Sequence, residues 1–165
     1  MHFHTELVIQ PYRSGIRLAQ PEQACGSQLC DLYQSSISTY FMSADSRCLH
    51  VNDGAAMLCG ADSAHDLIGR DALSMWDRKS ADKMMLNDKQ VMHGNKIHVT
   101  DDSAIRSWDD SYVQMITFKM PWFQAEKVSG VFGLTLKLDL RSLTDFTHNL
   151  QLVTATGLLR GQSLS

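Results

Sequence analysis

The run Val131-Phe132-Gly133-Leu134-Thr135-Leu136-Lys137-Leu138 alternates large apolar residues with small or polar ones. A period of two belongs to a strand rather than a helix, and it gives this strand one apolar face and one wetter face. The strand as a whole spans 128–138. Two more strand-like stretches precede it, at 96–100 and 112–120, with turn chemistry at Asp101-Asp102-Ser103 and Ser129-Gly130. Further upstream, 39–43 and 47–51 form a hairpin around the small polar residues Ala44-Asp45-Ser46. Asn52-Asp53-Gly54 then supplies caps for a helix over 55–59 that ends at Gly60, and Asp62 to Gly69 repeats the device. A longer helix is expected from Ser80 to His93, where Ala81, Met84, Met85, Asp88, Val91 and Met92 form one stripe. Two strands, several helices and three strands, segregated in this way, predict an α+β fold with a five-stranded antiparallel sheet flanked by short helices.

The ends of the chain differ from this middle. Residues 1 to 21 mix the extended run Glu6-Leu7-Val8-Ile9 with Pro11, Gly15 and Pro21, which reads as an irregular leader able to pair with something. From Pro21 a helix is expected to reach Ser35-Ser36, with Ala24, Cys25, Leu29, Leu32 and Tyr33 on one face. Beyond Asp139 the period switches to about three and a half: Leu143, Phe146, Leu150, Val153 and Gly157 step by threes and fours, behind the weak capping pair Ser142 and Asp145. That spacing fits a helix folded back on its own sheet or a dimer seam. The expected division is a leader and helix start over 1–28, a central domain over 29–140 and a C-terminal helix and linker over 141–165.

With 165 residues and 44% hydrophobic content, the chain can bury a full core without disulfides or metal, and it is too apolar to be disordered. No stretch approaches the roughly 18 uninterrupted apolar residues of a membrane span. The start, MHFHTELVIQ, lacks the basic and apolar regions of a secretory signal, so a cytoplasmic location is expected. Cys25, Cys30, Cys48 and Cys59 match neither zinc nor C-x-x-C redox spacing. A net charge of −3 without basic runs argues against direct contact between this chain and nucleic acid. No nucleophile elbow, phosphate loop or dinucleotide motif occurs, and the seven His have no metal-helix spacing, so neither a metal site nor an enzyme is expected. The acidic pairs Asp101-Asp102 and Asp109-Asp110 beside Trp108 read as solvated loop residues. The enzymatic alternative is a cone-shaped α+β isomerase or dehydratase with an Asp or His base in an apolar cavity, His50 or His98 being the candidates.

Tyr40-Phe41-Met42-Ser43-Ala44-Asp45-Ser46-Arg47-Cys48-Leu49-His50-Val51-Asn52 resembles the opening hairpin of PAS sensor domains, with Ser43 and Ser46 in place of the usual Asp and Gly. Asp66-Leu67-Ile68-Gly69-Arg70-Asp71 is similar to the family's short Leu-Ile-Gly element. Met120-Pro121 and Ser129-Gly130-Val131-Phe132-Gly133-Leu134 are similar to its last two strands. The resemblance covers about residues 29 to 140 and implies a cavity between sheet and helices that holds a ligand or cofactor. In flavin-binding relatives a Cys follows the Gly-Arg-Asn element; here Ala72 stands at that place. In haem-binding relatives the long helix carries an axial His; here Lys83 falls near that place and His93 lies at the helix end. Neither the flavin adduct nor ordinary haem ligation is therefore implied, and a small organic ligand fits better. Met-rich lining residues are expected from the helices, Trp76, Met84, Met85 and Met92, facing Tyr40, Met42 and Thr135 on the sheet. The resemblance also implies a homodimer through the helix around Leu29, Leu32 and Tyr33, with Leu143, Phe146 and Leu150 adding a second seam. The terminal Ser163-Leu164-Ser165 is similar to the opening of a LuxR-type helix-turn-helix domain. The expectation is the N-terminal sensory part of a transcription regulator, coupled by its C-terminal helix to an output domain.

Overall fold

The alternating run becomes β7 (Lys127–Lys137), which pairs antiparallel with β6 (Tyr112–Gln124) across a tight turn at Ala125-Glu126. This is the computed structural model of the chain, and it describes residues 8–19, 27–138 and 143–159. Ser129 and Gly130 lie inside β7 and do not form the turn expected there; Ala125, with a φ of 51°, reverses the chain instead. On the far side of β7 comes β3 (Ser38–Ser43), which pairs with β4 (Cys48–Val51). The other edge of β6 holds β5 (His98–Ile105) along its first half. β5 runs straight through Asp101-Asp102-Ser103, so these residues are strand and not turn. Asp102 and Ala104 point inward while Asp101 and Ser103 point out, a period of two that two polar Asp side chains disguise.

The sheet has seven strands rather than five. The two extra ones come from the leader: β1 (Val8–Tyr12) and β2 (Gly15–Ala19) form a hairpin, and β2 runs parallel to the end of β6 at Ile16 and Arg17. Glu6 and Leu7, the helix start at Pro21, Cys25, Ser142 and the terminal Ser163-Leu164-Ser165 lie outside the described residues.

Among the described residues there are four helices, α1 (Ser27–Gln34), α2 (Asp53–Cys59), α3 (Arg78–Gly94) and α4 (Leu143–Ala155), with short 3-10 turns at Ala64–Leu67 and Ala72–Ser74. Asn52 caps α2 through its side-chain oxygen, which also accepts from Thr39 N, while its amide nitrogen donates to carbonyls of Tyr33, Ser35 and Ile37. One side chain thus joins α1, β3, β4 and α2. Asp77 starts α3 in the same way by accepting from Ser80 N.

Both faces of the sheet are covered. On one, Phe41, Phe118, Met120, Trp122, Phe132, Leu134 and Leu136 build an apolar core with Leu29 and Leu32 of α1 and Val153 of α4. On the other, α2, the 3-10 turns and α3 lie over the alternate residues of the same strands. The wetter face of β7 read from the sequence therefore looks into the protein rather than into solvent.

A charged cavity between the sheet and its helices

The second face holds a cavity of about 80 Å³. A single water needs about 10–15 Å³ by such a measure, so the space suits a handful of waters or one small molecule. Ser38, Tyr40 and Met42 line it from alternate positions of β3, Met115, Thr117 and Lys119 from alternate positions of β6, and Thr135 from β7. Leu58 and Cys59 of α2, Met75, Trp76, and Met84 and Asp88 of α3 close it from the helical side. Gly133 has a local reason: a Cβ there would lie 2.1 Å from the Tyr40 ring, so the bare backbone makes room for the phenol.

Of the residues expected to line the cavity, Tyr40, Met42, Trp76, Met84 and Thr135 come together. Met85 and Met92 do not; each is partly buried against a neighbouring apolar cluster. On a helix, Met84 and Asp88 share one line while Met85 turns about 100° away from Met84. Ala72 also lines the cavity. Lys83 stands partly exposed at the rim and reaches in to Asp102, and His93 is exposed at the end of α3. Among the described residues no group of three or more His, Cys, Asp or Glu is placed to hold a metal, and no helix is long and apolar enough to cross a membrane.

The charged lining is the part that sequence reasoning left out. Lys119 Nζ lies 2.6 Å from Asp88 Oδ1, and both side chains are buried, at 6% and 5% exposure. The same ammonium donates to Met84 O at 3.3 Å. A third N–H remains with no partner among the described residues. Beside it, Asp102 accepts from Thr100 at 2.6 Å and pairs with Lys83 Nζ at 2.8 Å, so this buried carboxylate is no solvated loop residue. α3 is thus tied to the sheet twice, with opposite polarity: its Lys83 meets a sheet carboxylate and its Asp88 a sheet ammonium. Two carboxylates against two ammoniums leave the site without net charge.

Burial pushes the Tyr40 hydroxyl up, so it stays a neutral phenol, although the Lys119 charge and a hydrogen bond with Thr135 pull the other way. Burial alone would push the Lys119 ammonium down; Tyr40, once it ionises at high pH, and the hydrogen-bonded Asp88 carboxylate outweigh it and hold the amine above its usual value. Thr117 and Thr135 face each other across the β6–β7 register, their hydroxyls 3.3 Å apart. Cys48 and Cys59 add two thiols, each pushed up to about 12 by burial. Such thiols are weak nucleophiles.

Of the Asp or His bases that the enzymatic alternative calls for, the carboxylates Asp88 and Asp102 do line the cavity, whereas the two His candidates lie elsewhere. His50 sits between Tyr33 and Phe41 on the opposite side of the sheet and hydrogen-bonds Tyr33, and His98 is on β5 outside the lining. Of the seam residues, Leu29 and Leu32 are buried in the chain's own core. Tyr33, Phe146 and Leu150 pack against that core while partly exposed, and Leu143 opens α4. α4 itself folds back on the sheet, with Val153 at 0% exposure.

The family model for the PAS fold matches residues 32–141. The chain belongs to the PAS family. By sequence, no curated protein matches it. Among solved structures, a Vibrio cholerae VqmA dimer, a LuxR-type receptor, aligns with a TM-score of 0.60 at 20% identity, over 70% of this chain and 52% of the other. The PAS chain described here thus spans about half the length of that receptor. A phage VqmA–DPO complex aligns at 0.58 and 16% identity, over 83% and 67%. The PAS domain of a LuxR-family transcriptional regulator from Burkholderia thailandensis, in complex with ethanol, aligns at 0.51 and 14%, over 65% and 93%. At these identities the likeness is one of fold.

Proposed function

We propose that this chain is the cytoplasmic sensory part of a LuxR-type transcription regulator, and that it binds a small, neutral organic molecule between its sheet and α3. The observation that carries the reading is Lys119: a buried ammonium neutralised by Asp88, with one N–H left without a partner among the described residues, facing a phenol and two hydroxyls in a mostly apolar cavity. A guest that offers one hydrogen-bond acceptor and an apolar body satisfies all of these groups; an acid or base upsets the charge balance of the site. The phage VqmA complex with DPO and the Burkholderia domain with ethanol, both similar in fold, support a small-molecule guest.

The signal leaves through β7. Thr135 faces the cavity, while its neighbours Leu134 and Leu136 lie in the core beneath α4. A guest that prefers one spacing of β6 and β7 shifts the packing under α4, and each 1.4 kcal/mol of preference changes the population about tenfold. The segment 141–165 then acts as signalling helix and linker, and 29–140 as sensor. The partly exposed Phe146 and Leu150 support a homodimer in which two such helices meet, as does the dimeric state of the Vibrio cholerae receptor. Nothing in this reading calls for turnover.

The test pairs the wild type with an Asp88→Leu/Lys119→Met double variant. Mass spectrometry of small molecules released from the purified proteins is expected to find a compound with the first and not with the second, and adding it back should raise only the wild-type melting temperature. A compound retained equally by both would sink the reading. Sedimentation showing a monomer at high micromolar concentration would remove the dimer.

A further inference from the structure

The loop between β5 and β6, residues 106–111, is tied together by its own bonds. Arg106 N donates to Ser111 O, Asp110 N to Arg106 O and Ser111 N to the Asp109 carboxylate, each at 3.0 Å, and Arg106 Nη2 lies 3.3 Å from Asp109. It is therefore a preformed unit. Ser107 to Asp110 are all exposed, so the unit has no core of its own to anchor it. What holds it is a set of contacts to backbone carbonyls of cavity-lining residues. Trp108 Nε1 donates to Cys59 O at 3.1 Å, Arg106 Nη1 to Leu58 O at 3.4 Å and Ser107 N to Met75 O at 3.1 Å. The first two carbonyls stand at the end of α2, whose helix is complete there and leaves them without helical partners.

The indole does more than donate. It is 62% exposed, yet its ring lies flush on Gly60 with the Arg106 guanidinium 5.6 Å from the ring centre. A Cβ at Gly60 would fall 2.2 Å from Trp108 Cζ2, and Gly60 also has a φ of 71°, so both the helix stop and the seat of the indole need glycine. Arg106 Nε, although buried, has no hydrogen-bond partner. A few polar ties at the surface with one donor unmatched make a local opening cheap compared with unfolding.

We propose that this loop is a strap: Trp108 and Arg106 hold the end of α2 shut over the cavity, and guests enter and leave when the strap lets go. The statement concerns access to the cavity, not the identity of the guest, and so stands apart from the sensory reading. Cys59 and Cys48 line the cavity and report on it, whereas Cys30 of α1 lies outside the lining.

The test follows N-ethylmaleimide labelling of the full chain, thiol by thiol, by peptide mass spectrometry. Trp108→Ala is expected to speed labelling of Cys59 and Cys48 about tenfold while Cys30 keeps its rate, because the lost ties shift the opening equilibrium. Trp108→Phe keeps a ring on Gly60 but loses the donor, and should fall between. Unchanged rates at Cys59 and Cys48, or equal acceleration of all three thiols in both variants, would overturn the strap. Hydrogen exchange on the unaltered chain gives an independent reading. The amides of Gly60 and Ala61 should open in step with that of Ser107, which bonds Met75 O across the strap's seat, and independent opening of Ser107 and the α2 end would count against the proposal.

Discussion

The two faces of the sheet are made by the same strands and built on opposite rules. Phe118, Met120, Phe132, Leu134 and Leu136 point to a face of interlocking apolar side chains under α1 and α4. Their immediate neighbours Thr117, Lys119, Gly133 and Thr135 point to a face that keeps space, hydroxyls and a buried ion pair. The first face stabilises by excluded water and close packing. The second surrenders packing and must answer each buried charge with its opposite. One face holds the fold and the other can respond.

The largest expected effect breaks the second face. Lys119→Met alone strands the Asp88 carboxylate in a buried site and should cost about 3–5 kcal/mol in urea unfolding, since a buried charge without its partner is expensive. The Asp88→Leu/Lys119→Met double variant should return to wild-type stability or exceed it. If the single and double variants lose the same amount, the pair is not balanced as described. On the packed face, Phe132→Ala should cost about 3 kcal/mol in the same experiment through the cavity it leaves, with no change in the guest that co-purifies.

A smaller effect separates neighbours on α3. Met84→Trp pushes bulk into the cavity and should abolish guest-induced thermal shifts at a stability cost of about 1–3 kcal/mol. Met85→Trp, one position on, should leave the shift in place. Equal loss in both would mean that the helical wall is drawn wrongly. The smallest effect belongs to His50 on the packed face. Burial lowers its pKa in the fold, so the unfolded chain takes the proton more readily. The stability it permits is complete above the ordinary histidine value of about 6.5 and declines as the pH falls below it, levelling off once the folded form is protonated as well. His98, lowered by burial and by Lys96 and Lys119, acts in the same direction. Unfolding at a series of pH values should therefore show His50→Gln with a shallower acid slope, but not a flat one.

How far these faces were legible depended on whether their cause was local. The strands of the central domain follow from alternation, and α2 from Asn52 and Gly60, because capping and period are written in neighbouring residues. The turns beside β5 and β7 misled for the same reason: Asp101-Asp102-Ser103 and Ser129-Gly130 carry turn residues, and only pairing with β6 shows that they stay extended. Five of the seven expected lining residues came from period and side-chain type together. Lys119 and Asp88 escaped because they meet across 31 positions, and no neighbour of either announces the other. The clue lay in misplaced charge: Asp88 interrupts the apolar stripe of α3, and Lys119 stands alone between Phe118 and Met120. The leader's pairing with the sheet is equally non-local, resting on two residue pairs beyond the end of β5.

That last pairing bears on how the protein can be cut. The family match begins at residue 32, but the hairpin formed by β1 and β2 occupies the border of β6 at Trp122 and Phe123, and Tyr12 lies edge-on to the Phe123 ring at 5.2 Å. A fragment trimmed to the family limits would present unpaired amides and carbonyls beside the bare Phe123 ring, which is the surface on which chains add to one another and come out of solution.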